Sequence, residues 1–130
     1  MQAKDIVVAY YGRRFPRQDW RQDVDSESLR AYVEELGAEL AGLGVNLRCS
    51  LEEETVIEVN GYGDLLNAVR IRSPKDSISN LCLGHIIGSS PNCDLFEDVR
   101  RGVNRVAFAP EMVEPEHDNK HVCHNCGCGC

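Results

Sequence analysis

A chain of 130 residues with 42% apolar and 27% charged side chains has the balance of one globular domain. A domain of this size buries roughly two-thirds of the surface its unfolded chain exposes, so its core needs no disulfide staples. The formal net charge of −7 argues against general nucleic-acid binding, and no apolar run is long enough to span a bilayer. Residues 1–5 lead straight into a strand-like stretch without a signal-peptide core, so a cytoplasmic protein is expected.

Residues 5–11 read as a first strand, because Ile6, Val7 and Val8 form a β-branched run. Gly12 and Pro16 interrupt that pattern, so residues 12–21 are expected as a loop. Asp25 or Ser26 offers an N-cap. Leu29, Tyr32, Val33, Leu36, Leu40 and Leu43 then recur at helical spacing up to Gly44, which ends the expected helix. Val45, Leu47 and Cys49 alternate with polar residues, as in a half-buried strand with Cys49 in the core. Glu52-Glu53-Glu54 reads as a solvated turn, residues 55–59 as another strand, and Asn60-Gly61 as the turn after it. Residues 65–71 are expected as a strand that returns after a loop. Ser73, Pro74 and Asp76 form a helix start, with Ile78, Leu81, Cys82 and Ile86 as the apolar face and Gly88 as the end. A short helix over 93–101, built on Leu95, Phe96 and Val99 and stopped by Gly102, precedes a last strand over 103–109 that Pro110 ends.

The expected fold class is α/β, a small single domain over residues 1–109 with the order β-α-β-β-α-α-β. That order resembles the thioredoxin-like topology. Gly12-Arg13-Arg14-Phe15 follows the first strand where that family carries Cys-x-x-Cys, so the resemblance implies a topology and no activity. Residues 110–120 are acidic and lack an apolar period, which predicts a linker. Residues 121–130 are expected as a flexible, Cys/His-rich C-terminal arm.

Four of the seven cysteines, Cys123, Cys126, Cys128 and Cys130, fall in the last eight residues, and His117, His121 and His124 lie beside them. In a reducing compartment, clustered thiols serve metal or redox chemistry more often than they serve as staples. The spacing is C-x2-C-x-C-x-C, and its x2 pair can wrap one ion. Residues two apart in an extended chain are separated by about 6.6 Å. Two thiolates on one tetrahedral zinc sit roughly 3.8 Å apart. Gly127 and Gly129 permit the kinks that close this gap. The four thiolates, with His121 and His124 as secondary ligands, point to zinc or an iron–sulfur cluster, with copper(I) a lesser candidate. The Cys-Gly alternation is similar in texture to metallothionein, while the second Cys-x-x-Cys of a zinc ribbon is missing. Cys82, His85 and Cys93 are distant ligands if the arm folds back. Cys82 and His85 would share a helix face, although packing is the simpler reading of that pair.

Arg13, Arg14, Arg17 and Arg21 share one loop with Phe15 and Trp20. Arginine and aromatic side chains are enriched at interface hot spots, so Arg13, Arg14, Arg17, Trp20 and Arg21 are the expected contact for a protein partner, with no membrane and no nucleic acid involved. The sequence has no phosphate-cradling glycine pattern, no nucleophile elbow and no His-Glu-x-x-His. Any enzymatic activity would therefore rest on cysteine. The expected function is a small cytosolic metal-binding protein, an accessory subunit or metallochaperone rather than an enzyme. The alternatives are a thiol redox or sulfur-carrier protein, and a precursor peptide whose folded leader precedes a modified Cys/Gly core.

Overall fold

The computed structural model describes residues 4–17, 19, 24–88, 90 and 92–113. The β-branched run near the start lies in strand β1 (Lys4–Arg14), where Ile6, Val8, Ala9 and Tyr10 are wholly shielded from solvent. β1 pairs in parallel with β2 (Val45–Glu58) and antiparallel with β3 (Val69–Ser73), which pairs antiparallel with β4 (Ile78–Cys82). The sheet order is β2-β1-β3-β4. A parallel pair needs a crossover, and helix α1 (Ser26–Ala41) supplies it. The chain is thus a small α/β domain with a mixed sheet, and a β-α-β unit followed by an antiparallel pair agrees in outline with the thioredoxin-like order.

Alternation along the strands decides which side chains reach the core. Val8 lies opposite Ile71 and beside Cys49, while Tyr10 lies opposite Val69. These positions face α1 and helix α4 (Leu95–Phe108), whose buried stripes are Leu29, Val33, Leu36 and Leu40, and Leu95, Val99, Val103 and Val106. Asp25 caps α1 by accepting the Ser28 amide at 3.1 Å. Leu43, expected on the buried stripe, lies beyond the end of α1 and is 61% exposed. Lys4 fixes the other end of the sheet. Its ammonium donates to the Val106 carbonyl at 2.6 Å and the Ala107 carbonyl at 3.2 Å, and pairs with Asp76 at 2.9 Å. A cation thus closes the last turn of α4, where the helix dipole favours it.

Four sequence expectations are corrected. The three glutamates do not turn the chain, because β2 runs unbroken from Val45 to Glu58. Its pairing with β1 slips instead: Tyr11 faces Glu52, the next residue Gly12 faces Val56, and residues 53–55 form a bulge. Residues 65–71 begin not as a strand but as the end of helix α2 (Tyr62–Asn67), which buries Tyr62, Leu65 and Leu66. Ser73 precedes only one 3-10 turn (Pro74–Asp76) and does not cap it, since its hydroxyl accepts no backbone amide there and instead donates to the Asp76 carboxylate at 2.7 Å. Ser77 then adopts the left-handed conformation at φ 61°, and the chain returns as β4 before the short helix α3 (Leu83–Ile87). Finally, the helix over 93–101 and the strand over 103–109 are one helix, α4. Gly102 does not stop it. A Cβ there would meet the Leu83 side chain at 2.4 Å, so this glycine lets α4 press against α3.

Among the described residues, no helix is long and apolar enough to cross a membrane. Two glycines separate the demands of packing from those of chain entropy. A Cβ on Gly12 would lie 2.6 Å from the Glu53 carbonyl oxygen, a backbone atom of the bulge. A Cβ on Gly42, at φ −68°, meets nothing within 4 Å. Gly12→Ala is therefore expected to lose about 1–3 kcal/mol, and Gly42→Ala to gain about 0.4–1 kcal/mol. Urea denaturation of the two variants beside the wild type measures both signs.

Candidate functional site

The six residues expected to hold a metal, His121, Cys123, His124, Cys126, Cys128 and Cys130, lie outside the described residues, as do Trp20 and Arg21 of the expected docking loop. Gly12, Arg13 and Arg14, expected in a loop, are instead the end of strand β1, because they pair with Val56, Ile57 and Glu58. Arg17 follows them where parallel strands β1 and β2 end, the edge at which open α/β sheets hold ligands. All three arginines engage their own chain. The Arg13 guanidinium lies 3.8 Å from the Tyr10 ring centroid and donates to the Tyr11 carbonyl and, at 3.3 Å, to the Ser26 hydroxyl. Arg14 pairs with Glu58 across the strands. Arg17 holds Asp19 through two nitrogens, its Nε donating at 2.9 Å. Burial differs among them: the Arg14 and Arg17 side chains are 63% and 51% exposed.

The two internal free thiols, Cys49 and Cys82, have the character of core residues. Cys49 is half-buried beside Val8, and burial pushes its pKa up to about 11. Cys82 is 1% exposed. It ends β4 and caps α3, so it does not share a helix face with His85, which sits inside α3. The expected Cys82–His85 helical pair is thereby corrected: residues 78–82 are strand. Cys93 is not a thiol but disulfide-bonded, and it lies before α4 at φ 49°, with its amide donating to the Ser90 hydroxyl at 3.2 Å. Among the described residues, no group of three or more His, Cys, Asp or Glu side chains is arranged to hold a metal ion.

Two polar clusters escaped the sequence reading. The first is centred on Asp98, a carboxylate 1% exposed on the buried stripe of α4. One oxygen accepts the Tyr62 hydroxyl at 2.6 Å and the Ser90 hydroxyl, and the other accepts Arg101 at 2.9 Å. Burial, and then the bond to Asp98, raise the Tyr62 pKa well above the ordinary tyrosine value, so the phenol stays a neutral donor. With both oxygens occupied, this carboxylate ties α2 and the loop before α4 to α4 itself. It acts as a joint between these elements. An acid three residues after Leu95 and four before Gly102, on an otherwise apolar stripe, was the available signal.

The second cluster lies on the opposite face of the sheet, where Arg70 and Arg72 alternate with the core residues of β3. Arg72 grips Glu52 with two parallel bonds of 2.7 and 2.8 Å and donates to Asn80 at 3.0 Å. Asn80 in turn donates to the Tyr11 hydroxyl at 3.0 Å, and the Arg70 guanidinium lies 5.5 Å from the Tyr11 ring centroid. The pairing crosses three strands, so the residues are remote in sequence and adjacent only after the sheet forms. Every buried side-chain polar atom among the described residues has a partner.

Comparison of the chain with family models, curated proteins and solved structures finds no match.

These environments set two expected outcomes. The bond from Arg72 holds Glu52 at a pKa of about 2, below the ordinary 4.5. The folded state thus prefers the ionised form, and the stabilisation is complete above pH 4.5 and lost as pH falls through about 2. Glu52→Gln is expected to cost about 1–2 kcal/mol at pH 7, where solvent still screens the pair, and to flatten the stability profile over that acid range. Urea midpoints measured against pH test this. Cys49, with a pKa of about 11, is expected to react with iodoacetamide at pH 8 about a hundredfold more slowly than an unhindered thiol. Peptide mapping by mass spectrometry after timed labelling gives the rate.

Proposed function

We propose that this chain is a metal-binding accessory protein. Cys123, Cys126, Cys128 and Cys130 are its ligands, His121 and His124 its secondary ligands, and zinc or an iron–sulfur cluster its cofactor. One observation carries the reading: four thiols spaced C-x2-C-x-C-x-C, two glycines between them and imidazoles adjacent, within a single terminal stretch. The donor set fits a soft or borderline metal, since thiolate ligands select zinc, copper(I) or iron–sulfur chemistry over magnesium or calcium. Binding requires the thiols to lose their protons, so uptake falls as pH drops. In this reading, the folded domain is the body that carries and docks the arm. The buried Cys49 and Cys82 stay apart from exchange. A reducing compartment, the cytoplasm, suits such a thiol-rich chain.

The loop at the end of β1 is the proposed contact with the protein served, through Arg13, Arg14, Arg17, Trp20 and Arg21. The exposed pairs Arg14–Glu58 and Arg17–Asp19 support this. Exposed ion pairs are worth roughly 0–1 kcal/mol, so partner carboxylates can replace the internal ones at little cost.

The test is metal analysis and an absorption spectrum of anaerobically purified protein, beside a variant carrying Cys→Ser at all four terminal positions. The wild type is expected to hold about one zinc or one cluster per chain, and the variant none, with its circular dichroism unchanged. Full stoichiometric metal in the variant overturns the ligand assignment. A metal-free wild type overturns the metal reading itself and favours sulfur transfer, thiol redox chemistry or modification of residues 121–130, which the intact mass of protein from native cells tells apart.

A further inference from the structure

We infer that the groove between the C-terminal ends of α1 and α4 is a docking site for an acidic, amphipathic segment of a partner protein. This surface is built from other residues than the arm and the β1 loop, and the inference does not depend on the metal reading. The groove measures about 630 Å³. Its walls expose Leu43 at 61% and Phe108 at 53%, two of the four large apolar side chains that stand well out into solvent among the described residues. They lie 65 residues apart in the sequence, and the packing of α4 beside α1 brings them to one opening.

Charge at the rim decides what suits that apolar surface. Arg100, Arg101 and Arg105 line the groove against a single carboxylate, Glu39. Asp98 holds Arg101. Arg105 donates to the Ile86 carbonyl at 2.8 Å, and neither it nor Arg100 has a carboxylate partner among the described residues. Two guanidiniums open to carboxylates beside two open apolar side chains match the pattern of an amphipathic helix in a groove, read through apolar anchors and flanking acids.

Three other occupants fit less well. A second copy joined about a two-fold axis would bring six arginines against two glutamates, and like charges in apposition are repulsive. The chain's own residues 114–120, Glu-Pro-Glu-His-Asp-Asn-Lys, carry acids but no large apolar side chain to cover Leu43 and Phe108. A nucleic acid would meet an apolar surface on a chain of net charge −7.

The experiment is fluorescence anisotropy of the full-length protein with a labelled helical peptide that has leucines one turn apart and glutamates along both flanks. Binding is expected to weaken about tenfold or more in Arg100→Glu, in Phe108→Ser and at raised salt. It is expected to stay unchanged in Arg48→Glu on β2. All three substituted side chains are exposed, and thermal melts confirm that the variants fold. Wild-type affinity no better for this peptide than for a version with serine in place of leucine overturns the inference. Equal loss in Arg48→Glu also overturns it, as does displacement of the peptide by a single-stranded oligonucleotide. Replacing Glu114, Glu116 and Asp118 by serine in the full chain tests the internal occupant. A tenfold gain in peptide affinity there would show that the chain's own segment fills the groove, and would also overturn the proposal.

Discussion

Strand β1 is hydrogen-bonded along both of its edges, and the rest of the domain is arranged around that constraint. Its outer partner β2 is parallel to it, which forces the chain to cross the sheet as α1 before pairing begins. Its inner partner β3 is antiparallel and continues through a tight turn into β4. Val8, Ala9 and Tyr10 are then enclosed, because strands lie on both sides and side chains pack above and below. Lys4 carries the constraint beyond the sheet. By bonding the last carbonyls of α4 and pairing with Asp76, it joins the first strand to the last helix and to the β3–β4 turn.

The polar interior follows the same economy of position. Asp98 is a buried acid with three donors, and each donor belongs to a different part of the helical layer: Tyr62 on α2, Ser90 on the loop, Arg101 on α4 itself. Removing Arg101 would leave one desolvated oxygen without its partner, which costs more than the bond itself contributes, while Tyr62 and Ser90 share the other. On the other face, the Arg72–Glu52 pair joins β3 to β2 across β1. Both networks bind elements together that apolar packing alone would leave free to slide, and a unique register results.

The thiols divide into two chemical populations. Cys49 and Cys82 sit against the sheet, where burial holds the Cys49 thiol protonated and keeps Cys82 from solvent. The terminal cysteines carry the proposed chemistry. The domain also offers two separate basic surfaces despite its acidic total: the β1 loop, with internal partners for Arg14 and Arg17, and the groove, with Arg100 and Arg105 open.

The sequence by itself determined the α/β class, the first strand, α1 starting near Asp25 or Ser26, and the concentration of thiols at the C-terminus. Each of these is written in local spacing: a β-branched run, a 3.6-residue period, or a ligand count. Only the tertiary structure decided how Gly102, Ser73 and Glu52-Glu53-Glu54 would be used. Gly102 reads as a helix stop, yet the nearness of Leu83 makes it a contact point inside α4. Ser73 and Pro74 read as a helix start, yet β3 and β4 gain more by pairing than a helix there would gain by forming. The glutamates read as a turn, yet β2 absorbs them as an edge-strand bulge, with Glu52 turned to Arg72. In each case, the deciding partner lies on a different element, so no window of neighbouring residues contains the energy that chose the outcome. The groove and the Asp98 joint were hidden for the same reason. Their members meet only when α2 and α4 have taken their places on the sheet, and α4 has come to rest beside α1.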